Sequence, residues 1–155
     1  MIEIGFKKIE LEDKDLITHY FKHHTSRSCE RTFVNVYLWA RFYHVKFAEV
    51  EHTLVFRTED EDGFSFAYPA GEPENVKKAL DVLMVYSKER GVPFLMYTVT
   101  PDNFEYLEKW YPGRFEIEYV EGDADYVYES EKLATLSGKK LHSKRNHVNK
   151  FKIVY

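Results

Sequence analysis

Histidines at positions 19 and 23 stand one helical turn apart in "THYFKHH", a spacing that can chelate a metal ion from one face of a helix. No Glu sits between them as a hydrolytic zinc motif requires, and no third ligand is evident, so an incidental surface pair is expected. Cys29 is the only cysteine. A nucleophilic thiol needs a depressed pKa, and only Arg27 and Arg31 flank it, so an idle or buried thiol is the plainer reading. Tyr126 and Tyr128 have the chemistry to protonate a leaving group, but alternate tyrosines on a strand more often pack. No residue is assigned a catalytic role.

The segment "GKKLHSKRNHVNKFKIVY", residues 138–155, carries six Lys/Arg, two His and no acid. Just before it, residues 116–131 hold seven acidic side chains and no Lys or Arg, so the sign of charge flips abruptly. Three readings fit: a solvated helix face, a contact with a polyanion, or a helix lining a cleft against a further domain. Two asparagines three apart are poor helix formers with directional hydrogen-bonding groups, which favours the last two. The candidate anion- and substrate-binding residues are Lys139, Lys140, Lys144, Arg145, Asn146 and Asn149. Leu141, Val148, Phe151 and Tyr155 fall on one face of the same helix.

The elements that must position these residues are legible from periodicity. "IEIGFKKIEL" alternates as a strand, a helix follows to about His23, and "TFVNVYLWARFY" has a helical period. "VKFAEV" and "TLVFRT" form a hairpin about Glu51 and His52, and "FSFAYP" adds a third strand. Pro73, early acids and a closing Lys88, Arg90 and Gly91 mark a helix near 73–90. A buried strand near 94–99, a helix near 101–111, strands near 115–120 and over "DADYVYES", and a short helix at "EKLATLSG" complete the order. The expected architecture is α+β: a mixed, mostly antiparallel sheet flanked by helices.

Composition sets the outer bounds. At 155 residues, 44% hydrophobic and 17% aromatic, the chain can bury a full core. A net charge of −4 argues against wholesale nucleic-acid binding, so an anionic partner must be met by a local patch. A lone cysteine permits no internal disulfide, the N-terminus has no apolar h-region, and apolar runs such as "VLMVY" are far short of a membrane span of ~20 residues. A cytoplasmic location without a transmembrane segment is expected.

"DYVYESEKLATLSGKKLHSKRNHVNKF", residues 125–151, and "TFVNVYLWARFYHVKFA", residues 32–48, resemble the recurrent stretches of the phosphatidylglycerol lysyltransferase C-terminal domain family. That resemblance implies a GNAT-like acyl-CoA N-acyltransferase fold, kinship with Fem-type aminoacyltransferases, and two such domains in tandem. It further implies transfer of an aminoacyl group from aminoacyl-tRNA to a lipid head group or another acceptor. On this reading residues 1–137 are one GNAT-like domain, and the basic helix of 138–155 leads toward a second, so this half alone is expected to be inactive. Its basic segment would meet tRNA or an anionic lipid head group. The alternative is a degenerate, non-catalytic binding module. No cofactor is expected: at "YPAGEPEN", where a GNAT enzyme holds pyrophosphate, Gly71 stands alone, Pro73 removes a donor, and Glu72 and Glu74 put negative charge where phosphates would lie.

Overall fold

The computed structural model of the chain describes residues 1–22, 28–61, 63–123 and 126–155. It divides into two compact units, Met1–Glu118 and Tyr119–Tyr155. The first unit holds β1 (Lys7–Lys8), α1 (Lys14–Lys22), α2 (Phe33–Ala40), β2 (Lys46–Val50), β3 (Thr53–Asp60), β4 (Gly63–Ala67), α3 (Pro73–Glu89), β5 (Met96–Tyr97) and α4 (Pro101–Trp110). The second holds α5 (Ser130–Thr135) and α6 (His142–Val154), with 3-10 turns at Glu121–Asp123 and Lys139–Leu141.

Among the described residues the sheet has five strands in the order β1-β2-β3-β4-β5, antiparallel except for the parallel pair β4 and β5. The fold is therefore α+β with an open, mixed sheet. Alternation along the strands sorts the core into two faces. Phe47, Leu54 and Phe56 pack with Ile17 and Phe21 of α1 and Phe33 and Ala40 of α2. Ala48, Val50, Val55 and Phe66 point the other way, onto Ala79, Leu83 and Tyr86 of α3. A third cluster joins α3 to α4 through Val76, Leu80, Leu107, Tyr68 and Tyr111.

Local chemistry fixes the joints. Glu51 and His52 both adopt positive φ, 48° and 57°, as a two-residue turn between strongly twisted strands demands. Pro73 opens α3, and Gly91 at φ 68° follows its end. On the α3 face, buried Arg57 lies 4.4 Å from the Phe6 ring, donates to the Tyr86 hydroxyl, and forms an ion pair with Glu59.

Four expectations are corrected. The first strand shrinks to Lys7–Lys8, because the Phe6 N–H turns back onto Ile4 O at 2.8 Å and breaks the extended run. The strand near 94–99 is not in the core: only Met96–Tyr97 pairs, at the sheet's edge, and Leu95 is exposed. Thr98, at φ 55°, ends it. Residues 115–120 form no strand; Phe115 packs beside Tyr111 and Phe94, after which Glu116 to Val120 are exposed and unpaired. Alternating Glu and apolar residues favour extended backbone, but a ladder also needs a neighbouring edge. Tyr126–Glu129 is likewise unpaired, with Tyr126 and Tyr128 exposed rather than packed.

Candidate functional site

In an open sheet with parallel strands, the crevice beyond their carboxyl ends is the natural ligand position. Here β4, α3 and β5 make one crossover unit between parallel strands, and Tyr68 and Thr98 stand just past the two strand ends. Tyr68 N–H donates to Tyr97 O at 3.0 Å, and Arg31 Nη2 donates to Tyr68 O at 2.8 Å. Arg31 thus reaches across the end of β4 from the 3-10 turn Cys29–Arg31. Its guanidinium also lies over the Phe21 ring, 5.8 Å from the centroid.

The electrostatics of this end are unusual. Burial holds Arg31 below its ordinary value, countered in part by Glu30 and by Tyr97 and Tyr68. Unlike Arg57, which has Glu59, Arg31 has no carboxylate within ion-pair distance among the described residues. Burial pushes the Tyr68 phenol up to about 12 and also raises Tyr97, whose hydroxyl shares a 2.8 Å hydrogen bond with Thr58 Oγ1. Thr98 Oγ1 is buried with no hydrogen-bond partner among the described residues, on a β-branched residue in the left-handed region. Near neutral pH this end offers the Arg31 cation, neutral hydroxyls and the field of the neighbouring Glu30 carboxylate, which both Arg31 and Tyr97 feel.

Sequence reading did not find this cluster. Arg31 stood out only as a neighbour of Cys29, and positions 31, 58, 68 and 97 are brought together by topology alone. The segment after β4 leads directly into α3. Glu72 is the N-cap of α3 without a side-chain cap bond, Pro73 begins the helix, and Glu74 lies in its first turn. Gly71 has a packing reason: a Cβ there would stand 2.8 Å from Thr53 Cγ2 and 3.3 Å from His52 O.

The basic segment lies in the second unit. Lys139 and Lys140 sit in a 3-10 turn and Lys144 in the first turn of α6, all exposed and in no ion pair among the described residues. Arg145 is engaged differently. Its Nη1 donates to Leu136 O and, at 3.0 Å, to Gly138 O, clasping the turn in which Leu136 and Gly138 take φ of 50° and 92°. Asn146 Nδ2 approaches His142 Nε2 at 3.3 Å, while Asn149 is exposed. Both asparagines are exposed, and Asn146 is the one that meets a side chain in the first turn of the helix.

Of the remaining candidates, Cys29 is exposed, and His23 lies outside the described residues. Among the described residues no group of three His, Cys, Asp or Glu could hold a metal ion, and no helix is long and apolar enough to cross a membrane.

Comparison with known proteins adds three findings. A family model described as phosphatidylglycerol lysyltransferase, C-terminal, matches residues 21–153. A crystal structure of a conserved protein of unknown function from Bacteroides thetaiotaomicron superposes with a TM-score of 0.85 at 33% identity, over 99% of this chain and 51% of the other. An uncharacterised protein of Mycoplasmoides gallisepticum is 41% identical over 44 residues, 28% of this chain and 14% of that protein. The chain thus spans about half the length of the solved relative and a small part of the curated one.

Proposed function

Because the chain belongs to the phosphatidylglycerol lysyltransferase C-terminal family, we propose that it is a GNAT-like half of an aminoacyl- or acyl-transferring protein. The observation that carries this reading is the family match, which runs through the lysine-rich turn and nearly the whole of α6. The donor would be aminoacyl-tRNA or a related activated ester, and the acceptor a lipid head group or another amine or hydroxyl. The work asked of this half is positioning. Holding a nucleophile against an activated ester contributes through proximity and needs few ionisable groups. A sheet end with neutral phenols and the Arg31 guanidinium, countered in part by Glu30, suits that task.

In this reading Lys139, Lys140, Lys144 and Asn149 contact a polyanion, while Arg145 and Asn146 hold the turn that presents them. The charge is local, which reconciles a net charge of −4 with an anionic partner. The test is filter binding of uncharged and aminoacylated tRNA across a salt series, with thermal shift against coenzyme A and an aminoacyl-adenylate analogue alongside. Binding whose logarithm falls linearly with log salt, and which Lys140→Glu/Lys144→Glu weakens, is the expected result. A folded protein that answers none of these ligands would replace this reading with a non-catalytic binding module.

A further inference from the structure

Helix α2 is apolar on nearly every side, and helices of that kind are normally covered all round. Here only one side is. Phe33 and Ala40 are buried and Val36 and Tyr37 partly so, whereas the opposite side is open to solvent. Leu38 is 65% exposed, Trp39 50%, Phe42 70% and Tyr43 53%, with Val34 one turn before Leu38 also exposed.

These are not scattered side chains. The Trp39 and Phe42 rings lie 6.1 Å apart edge to face, Phe42 and Tyr43 5.0 Å, and Trp39 and Tyr43 5.9 Å, so the three form one contiguous cluster. A patch of this kind on a soluble domain marks an interaction surface. Its charge is one-sided. From Arg31 to Ala48 the chain contains no Asp or Glu, and exposed Arg41 and His44 sit within the aromatic cluster's own turn.

We propose that this face docks on an anionic lipid surface, with Trp39, Phe42 and Leu38 entering the head-group boundary and Arg41 meeting lipid phosphate. Trp and Tyr carry an apolar body and a polar edge, the combination that seeks the membrane–water interface. A cation beside them adds attraction to negative head groups. The absence of any acid across the segment removes the repulsion that such a surface would impose. The inference draws its purpose from the lipid-acceptor form of the transfer reading, but its test does not depend on it.

The protein is mixed with phosphatidylcholine vesicles containing no anionic lipid, phosphatidylglycerol, or phosphatidylserine, and binding is read by flotation. A Trp110→Phe background leaves Trp39 as the one tryptophan, so its emission reports directly on the face. Expected are flotation with both anionic vesicles, a blue shift of Trp39, at least ~tenfold weaker binding for Trp39→Ser/Phe42→Ser, and roughly fivefold weaker for Arg41→Gln. The Trp39, Phe42 and Arg41 variants alter exposed side chains, Trp110 is partly buried, and unchanged far-ultraviolet dichroism checks that every variant folds. Equal binding by the double serine variant overturns the proposal. So does failure of the parent protein to float, or self-association that the double variant abolishes, which would make the face an interface between copies. Binding of tRNA that persists with no vesicle binding rejects this inference while leaving the transfer reading intact.

Discussion

The Tyr111 hydroxyl donates a hydrogen bond to Asp81 Oδ1 at 2.7 Å, tying the residue that follows α4 to the middle of α3. Burial alone would push the Asp81 carboxyl up, but Tyr111 and Lys77, the latter 3.0 Å away, outweigh it and hold it below its ordinary value. Tyr111 is raised in turn, by burial first and then by the carboxylate.

Tyr111→Phe should lower stability by about 1 kcal/mol, since the bond is charge-assisted but partly solvated. A depressed folded pKa makes the contribution whole above the unfolded carboxylate value, ~4, and removes it as pH falls through the lower folded value. Urea unfolding of the two proteins should therefore differ most above about pH 5 and converge in acid. A difference that is constant with pH would mean that Asp81 does not feel the phenol.

Asp13 offers a second acid-sensitive joint. It is buried, accepts from Lys7 Nζ at 2.6 Å, and accepts the Glu10 N–H at 2.9 Å. Burial raises its carboxyl, and the Lys7 and Glu10 donors more than reverse that, so its value is lowered. Asp13→Ala removes the bond to the Glu10 donor before α1 and should cost about 1–2 kcal/mol at neutral pH. The loss should fade below the folded carboxyl's value, because the parent protein has then lost the same interaction.

Gly71→Ala tests the packing account of the segment after β4. The added methyl would lie inside contact distance of Thr53, which is fully buried, and of the His52 carbonyl. A destabilisation of about 1–3 kcal/mol is expected. Thr53→Ser, which removes the obstructing Cγ2, should recover part of it in the double mutant, as a calorimetric cycle would show.

In the basic segment the structure separates two roles that charge alone could not. Lys140→Glu/Lys144→Glu should weaken polyanion binding with little change in the melting temperature, because neither side chain is engaged. Arg145→Ala should loosen the Leu136–Gly138 turn, read as faster amide exchange across α5 and the start of α6, whether or not a ligand is present.

Sequence reading found the elements that announce themselves locally. The Pro73 start of α3, the Glu51–His52 turn and the alternation of β2 and β3 each depend on residues within a few positions. It overestimated strands at 94–99, at 115–120 and over the described part of "DADYVYES", since extended propensity is local but pairing depends on which edge lies within reach. The basic segment was visible in composition, yet not the division of labour within it, because Arg145 is occupied by carbonyls that carry no sequence signal. Arg31 was overlooked for the same reason: its partners are the backbone of Tyr68 and the ring of Phe21.

The agreement between strand order in space and in the chain bears on how the molecule assembles. The meander from β2 to β4 closes through short turns, so its pairing costs little loop entropy and can form early. β1 and β5 must instead be recruited across α1 and α2 on one side and α3 on the other, and each contributes two residues to the ladder. The sheet should therefore ripen from its centre outward. One of the two late strands, β5, carries Tyr97, whose carbonyl accepts the Tyr68 N–H, so the sheet end that Arg31 spans would be completed among the last steps of folding.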